Sequence, residues 1–181
     1  LADVLSALKA SRRINSITVV CADKAVRKLA HEFGAHFVWE GQRRGLNRAL
    51  RIAIKRCERR GAEAVLIVHA DLPLVTSQEI DRFLISSRSY PLALTPSKDG
   101  KGTNALLLRP PSIIGPAFGK GSFTRHLRLG RQKKLRCKVL SFPGIRFDVD
   151  QPRDLGQLNR YGVQNETVRV LRTLRTARTN S

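Results

Sequence analysis

Carboxylates follow two apolar stretches of the chain, at places where a strand would end. The segment VLIVHADLPLVT, residues 65–76, passes from strand-forming apolar residues to Asp71, and FDVD carries Asp148 and Asp150. An acid at the exit of a buried strand costs free energy unless it is solvated, hydrogen-bonded or bound to a cation. One carboxylate from each of two neighbouring strand ends is a usual arrangement for Mg²⁺. We therefore predict a metal site, with capping of the following helix as the alternative role of Asp148 and Asp150.

A glycine-bearing polar loop precedes another apolar stretch, in DGKGTNALLLRPP. Gly100 and Gly102 let the backbone approach another group closely. Thr103 and Asn104 offer polar groups at the start of the predicted strand. A plain hairpin turn explains the glycines equally well, so the loop is either a ligand contact or an ordinary turn.

Glycines lead into a predicted helix in AFGKGSFTRHL. Gly119 and Gly121 precede Ser122, which we expect to cap the helix. A helix N-terminus presents free backbone N–H groups and a positive dipole end to an anion. Lys120 and Arg125 add positive charge. The stretch lacks the spacing of a P-loop, so it indicates anion binding in general and not one nucleotide motif.

Apolar β-branched runs alternate with segments of helical period along the chain, which is typical of an α/β fold. The predicted strands are 16–22, 35–40, 64–69, 91–96, 103–109, 136–142 and 145–150. The predicted helices are 23–34, 46–61, 77–87, 122–130 and 151–162, with Asp23 and either Thr76 or Ser77 as caps. This order predicts a mostly parallel mixed sheet covered on both faces, with ligands at the carboxyl ends of the strands.

The composition indicates one globular domain. The chain has 181 residues, of which 41% are hydrophobic, and no apolar run approaches the ~20 residues of a membrane span. We therefore expect a cytoplasmic protein without membrane contact. Cys21, Cys57 and Cys137 lie far apart with no C-x-x-C pair, which indicates neither a zinc site nor a disulfide framework.

The formal net charge of +20 predicts attraction to polyanions or to phosphorylated small molecules, without choosing between them. No helix-turn-helix, zinc-finger or ribonucleoprotein motif is present. Aromatic residues make up only 6% of the chain, which leaves little for stacking on bases. A basic protein that binds nucleic acid is therefore the less favoured alternative, and the charge does not exclude it.

Taken together, HADLPLVTSQEID, GTNALLLRPP, FGKGSFTRHL, FDVDQPRDL and GLNRAL resemble one family in order and in separation. That family comprises the guanylyltransferases that make the guanylylated phosphoacid precursor of coenzyme F-420. The resemblance runs from residue 1 to about residue 160. It implies a three-layer Rossmann-like nucleotidyltransferase domain of the nucleotide-diphospho-sugar transferase type over 1–160, followed by a basic helix or tail over 161–181.

The resemblance also implies a reaction, in which GMP from GTP is joined to the phosphate of a three-carbon acid with release of pyrophosphate. Family members use 2-phospho-L-lactate, phosphoenolpyruvate or 3-phospho-D-glycerate. By the same resemblance, Thr103, Gly119 and Ser122 match the residues that hold the phosphoacid. A nucleotidyltransferase with another acceptor and an inactive nucleic-acid-binding descendant of the fold are the alternatives.

The remaining site residues follow from the resemblance as well. Asp71, with Asp148 or Asp150, matches the acids that bind Mg²⁺, while Gly45 and Asn47 lie where the guanine nucleotide is expected. The attacking phosphate oxygen is already ionised at neutral pH, so the chemistry needs positioning and charge neutralisation and no general base. We therefore do not expect the histidines nearest the motifs to be catalytic; these are His69 and His126.

The sequence departs from the family in two places. The family's first strand and its basic loop around the triphosphate precede the position that Leu1 matches, so we expect the centre of the sheet to lack a strand. Gln151 stands where the family usually has threonine.

Overall fold

Helices and strands alternate along the chain in the computed structural model, which describes residues 1–39, 45–158, 161–162 and 164–179. The helices are α1 Ala2–Ala10, α2 Lys24–Glu32, α3 Leu46–Arg59, α4 Ser77–Ser86, α5 Ser122–Gln132, α6 Pro143–Arg146, α7 Pro152–Leu158 and α8 Glu166–Thr179. The strands are β1 Thr18–Cys21, β2 His36–Trp39, β3 Val65–Val68, β4 Leu92–Pro96, β5 Thr103–Leu108 and β6 Cys137–Val139. The predicted α/β class is confirmed.

The strands form two groups. β1 and β2 pair in parallel, and the other four strands form a sheet in the order β3-β5-β4-β6. β5 runs antiparallel to both of its neighbours, whereas β6 runs parallel to β4. The predicted mixed sheet is therefore present, and the glycine-bearing loop between β4 and β5 is a hairpin connection.

Helices cover both faces of the larger sheet. Successive side chains of a strand point to opposite faces, and here both faces carry apolar side chains that the helices bury. One face packs against α1 and α4, and its buried cluster includes Val4, Ile80, Phe83, Ala93 and Leu107. The other face packs against α3 and α5, and its buried cluster includes Leu50, Ile54, Leu94, Leu106 and Phe118. The three-layer arrangement predicted from the sequence is thus confirmed.

A gap separates the two groups of strands. A cavity of about 1130 Å³ lies between them, lined by residues of β1, β2 and β3. Within the described ranges no strand pairs with the edge of β3 that faces away from β5. All residues of β3 are only half-buried, while all residues of β5 are buried. All four residues of β3 line this cavity.

Two predicted helix starts are made as expected. The Ala25 N–H donates to the Asp23 carboxylate at 2.8 Å, which caps α2. The Glu79 N–H donates to the Thr76 hydroxyl at 3.2 Å, which caps α4. In each cap the side chain and the N–H that it binds are at most three positions apart in the sequence, so local sequence is enough to predict the cap.

The predicted strand over 145–150 is wrong. Its first residues belong to α6, and residues 147–150 have no regular secondary structure. Pro143 is well suited to the start of a helix, and the Gly144 N–H donates to the Glu79 carboxylate at 2.9 Å. This contact with α4 helps to hold the segment in a helical turn.

The basic C-terminal segment contains α8, whose first turn packs on the domain. The Asp3 carboxylate accepts the Glu166 N–H at 2.8 Å and the Thr167 N–H at 3.2 Å, which satisfies free donors at the start of α8. Val168 is buried against Phe147 and Leu158. In the part of the chain described here, no helix is both long and apolar enough to cross a membrane.

Candidate active site

The three predicted metal acids lie at one place, next to the end of β3. The His69 N–H donates to the Asn104 carbonyl at 3.1 Å, which continues the pairing of β3 with β5 beyond Val68. Asp71 follows in an exposed loop, and its carbonyl accepts the Val149 N–H at 3.1 Å. This backbone contact brings the segment that carries Asp148 and Asp150 against the exit of β3.

The carboxylates of this cluster repel one another. Partial burial and the neighbouring Asp148 carboxylate raise the pKa of Asp150, and Asp71 contributes in the same direction. Lys98 opposes this effect, since its positive charge lowers the pKa of Asp150. The Asp148 side chain is buried. A cation held between these carboxylates would relieve their repulsion.

Among the described residues no N–H of α7 donates to Asp148 or Asp150, the alternative role, and Asp154 instead fixes the turn before this helix. The buried carboxylate of Asp154 accepts the Asp150 N–H at 3.1 Å and the Gln151 N–H at 2.8 Å. Lys98 forms an ion pair with Asp154 at 2.7 Å and also donates to the Asp148 carbonyl at 2.9 Å. Lys98 and Asp154 thus hold the turn that presents the acids.

The donor set suits Mg²⁺, although the acids do not form a complete metal cage. Among the described residues, no group of three or more His, Cys, Asp or Glu side chains has the geometry of a metal site. Mg²⁺ is usually held by one or two carboxylates, with substrate phosphates and water filling the other positions. Asp148 and Asp150, with Asp71 beside them, are the residues that would hold it.

An irregularity in strand pairing sets the direction of Thr103. Ala105 pairs with Thr95, and Thr103 pairs with Pro96, so Asn104 is an extra residue in β5. The Asn104 amide donates to the Ile145 carbonyl on one side of the sheet, at 3.0 Å. Thr103 faces α5 on the other side, and its hydroxyl lies 3.0 Å from Nδ1 of His126. Bulges commonly re-aim a side chain in this way.

The glycine-rich stretch forms the N-terminus of α5. Gly119 and Gly121 have φ angles of +111° and +70°, which favour glycine. Gly121 is the N-cap residue and Ser122 is the first residue of the helix, so the expected cap at Ser122 is wrong. The buried Ser122 hydroxyl makes no hydrogen bond to any described residue. It is therefore free to bind a ligand.

Arg125 places positive charge beside this N-terminus. Its Nε donates to the Ala117 carbonyl at 3.1 Å. A Cβ at Gly119 would lie 3.3 Å from the Arg125 guanidinium, so the guanidinium lies directly against this glycine. Glycine N–H groups, a serine hydroxyl and a guanidinium together suit an anion such as phosphate or carboxylate.

Asn47 holds the loop that leads to Gly119. Its amide nitrogen donates to the Phe118 carbonyl at 3.0 Å, and its amide oxygen accepts the Phe118 N–H at 2.7 Å. Gly45 directly precedes α3 with a φ of +88°. The nucleotide contacts of Gly45 and Asn47 stay predictions, and the structure gives Asn47 a second role as a loop clamp.

Aromatic contacts join the acidic and the anion-binding sides of the site. The ring centroids of His69 and Phe118 are 5.2 Å apart, and those of Phe118 and His126 are 4.9 Å apart. The sequence reasoning missed Lys98, Asp154 and the structural part played by His126. The acid three positions after Gln151 resembles a capping pattern and could have revealed Asp154. Nothing in the local sequence marks Lys98 or His126.

Comparison with known proteins gives a consistent result. A sequence profile described as "Guanylyl transferase CofC like" matches residues 1–180. A phosphoenolpyruvate guanylyltransferase of Sphaerobacter thermophilus is 41% identical over 155 residues, covering 86% of this chain and 74% of the relative. A 2-phospho-L-lactate guanylyltransferase of Methanothermobacter thermautotrophicus is 31% identical over 175 residues, covering 97% and 76%.

Solved structures support the fold. A nucleotide-diphospho-sugar transferase structure from Desulfovibrio desulfuricans G20 matches with a TM-score of 0.73 at 19% identity, covering 94% of this chain and 78% of the other. At that identity the likeness concerns architecture alone. The profile match over nearly the whole chain, with the two relatives, shows the family. The chain belongs to the CofC-like guanylyltransferases.

Proposed function

We propose that this chain transfers GMP from GTP to the phosphate of a three-carbon phosphoacid in coenzyme F-420 biosynthesis. An oxygen of the acceptor phosphate attacks the α-phosphorus of GTP. The bond from that phosphorus to the oxygen bridging to the β-phosphate breaks, and pyrophosphate leaves with the electron pair. The attacking oxygen is already deprotonated near neutral pH, so no proton has to be removed.

The observation that carries the proposal is an acidic cluster connected to the glycine-led N-terminus of α5 through the ring contacts of His69, Phe118 and His126. The Val149 N–H donates to the Asp71 carbonyl, and the Asp148 and Asp71 carboxylates both raise the pKa of Asp150, which supports a cluster of acids at the exit of β3. Ser122 begins α5 with a hydroxyl that bonds to no described residue, and the Arg125 guanidinium lies against Gly119. A reaction between two phosphate groups needs both an anion site and a place for a cation.

The chain's own residues bind and orient the phosphoacid. We assign Thr103, the Gly119 N–H and the Ser122 hydroxyl to this acid, with the Arg125 guanidinium neutralising part of its charge. Because Thr103 and Ser122 are almost fully buried, they hold one anion geometry without competition from bulk water. Positioning of this kind accounts for a large share of the barrier reduction in phosphoryl-type transfers.

We assign Mg²⁺ to Asp71, Asp148 and Asp150. When bound, Mg²⁺ would supply positive charge between the two phosphate groups and reduce their mutual repulsion. Lys98 and Asp154 support the acids by fixing the turn at the start of α7. We expect Asp154→Asn to weaken Mg²⁺ binding without removing a ligand, because the substitution loosens that turn. More Mg²⁺ should then be needed for half-maximal activity.

Among the acceptors, phosphoenolpyruvate is the first to test. The phosphoenolpyruvate guanylyltransferase named above shares 41% identity with this chain, and the 2-phospho-L-lactate enzyme shares 31%. 2-Phospho-L-lactate has a methyl group where phosphoenolpyruvate has a double-bonded methylene, and 3-phospho-D-glycerate carries its phosphate on C3 and a hydroxyl on C2. Their discrimination depends on small differences in pocket shape and hydrogen bonding.

The test measures pyrophosphate release from GTP and Mg²⁺ with each of the three phosphoacids in turn. We expect release that requires one acid and falls at least about 100-fold in Asp148→Asn, since that change removes a buried carboxylate. Arg51→Ala, on the exposed face of α3, is a matched control and should release pyrophosphate at the wild-type rate. Release that is independent of every acid would refute the proposal.

A further inference from the structure

His126 is a fully buried histidine that connects three parts of the site. It lies on α5 one turn after Ser122. Its Nδ1 is 3.0 Å from the Thr103 hydroxyl at the start of β5. Its Nε2 accepts the Ala117 N–H at 3.0 Å, in the loop that leads to Gly119. One ring thus touches all three stretches assigned to the phosphoacid.

The hydrogen bonds of the ring determine which nitrogen carries the proton. The Ala117 N–H can only donate, so Nε2 must present a lone pair. The neutral ring then carries its hydrogen on Nδ1 and donates it to the Thr103 hydroxyl. A second proton on Nε2 would face another donor. In accordance with this, burial, and then the charges of Arg125 and His69, lower the pKa of His126 to about 4.

The direction of the Thr103 hydroxyl follows from this assignment. Its oxygen accepts the His126 Nδ1–H, so it cannot donate its own hydrogen to the same nitrogen. The Thr103 hydroxyl makes no other hydrogen bond within the described part of the chain. Its hydrogen is therefore available to an anionic oxygen, which accepts such bonds strongly.

We propose that His126 is a positioning residue for phosphoacid binding, which turns the Thr103 hydroxyl into an oriented donor. The proposal rests on the proposed function, since it assumes that an anion binds at Thr103. It differs from a general acid or base role because His126 does not itself contact the ligand.

Two substitutions separate the two hydrogen bonds of the ring. His126→Asn places an amide nitrogen near the position of Nδ1 and keeps a donor for Thr103. His126→Gln places an amide oxygen near the position of Nε2 and keeps only the acceptor for the Ala117 N–H. Both side chains are polar and similar in size, so they perturb the core to a similar extent. His31→Gln, at an exposed position on α2, is the control.

The readout is the KM for the phosphoacid compared with the KM for GTP. We expect His126→Gln to raise the phosphoacid KM roughly tenfold or more, as Thr103→Val does, while the KM for GTP stays unchanged. His126→Asn should retain most of the wild-type value. Because His126 acts through Thr103, the double variant should be no worse than Thr103→Val alone. Equal losses in both His126 variants, or additive losses in the double variant, would overturn the proposal.

A readout independent of activity keeps this inference separate from the proposed function. Nitrogen-15 spectra of the histidine rings should show one Nδ1–H tautomer, absent from His126→Gln, that persists from pH 7 to pH 5. An Nε2–H tautomer or protonation near pH 6.5 would refute the inference even in an active enzyme. If no phosphoacid supports transfer, calorimetric titration of the acid still tests the inference. An oriented Thr103 hydroxyl predicts that the acid binds more weakly to His126→Gln than to His126→Asn, and equal affinities would refute it.

Discussion

Asn47→Ala tests whether this residue clamps the phosphoacid loop. The substitution removes both hydrogen bonds to the backbone of Phe118, which is buried. At about 1 kcal/mol each, their loss lowers the free energy of unfolding by about 2 kcal/mol. This shift corresponds to a decrease of about 1 M in the urea midpoint. Because the loop leads to Gly119, the phosphoacid KM should rise roughly tenfold.

Asn47→Asp is the informative partner, because it keeps the acceptor for the Phe118 N–H and loses the donor to the carbonyl. We expect about half of the stability loss of Asn47→Ala. Arg48→Ala, at the next position and exposed, should change neither measurement. If Asn47→Ala leaves the urea midpoint and the phosphoacid KM unchanged and raises only the KM for GTP, then Asn47 is a nucleotide contact and the clamp is refuted.

Three further outcomes follow from burial and packing. Phe83→Ala empties a fully buried site and should lower the unfolding free energy by about 3–5 kcal/mol and Tm by about 10 °C, measured by calorimetry. Gly144→Ala places a Cβ against the Leu74 carbonyl and the Glu79 carboxylate, so it should destabilise the fold by about 1–3 kcal/mol in urea titrations. Burial lowers the pKa of His126 from 6.5 to about 4. Between pH 6.5 and pH 4, therefore, this histidine takes up a proton in the unfolded chain and stays neutral in the folded one. Wild-type stability should fall by up to about 3 kcal/mol more than that of His126→Gln between pH 7 and pH 4; equal pH profiles would contradict this.

The sequence predicts the elements that depend on local pattern. The apolar face of α3 at Ala49, Leu50, Ala53 and Ile54 is buried as its helical spacing indicates. The caps at Asp23 and Thr76 are likewise made by side chains only a few positions from their partners.

Features that depend on distant contacts were not predictable. The prediction of a strand over 145–150 is wrong because Glu79, 65 positions from Gly144, holds α6 in a helical turn. The clamp on Phe118 comes from a residue 71 positions away. The direction of Thr103 depends on an extra residue in the pairing of β5 with β4. Local propensity carries no information about such contacts.

The central claim is that the α-phosphate of GTP becomes bonded to a phosphoacid on this chain. The most direct measurement incubates the protein with GTP labelled at the α-phosphate, Mg²⁺ and phosphoenolpyruvate, and separates the products. We expect the label in a guanylylated acid, in an amount equal to the pyrophosphate released, and no such product from Asp148→Asn. Label found only in GTP, GDP or free GMP with all three acids would contradict the claim.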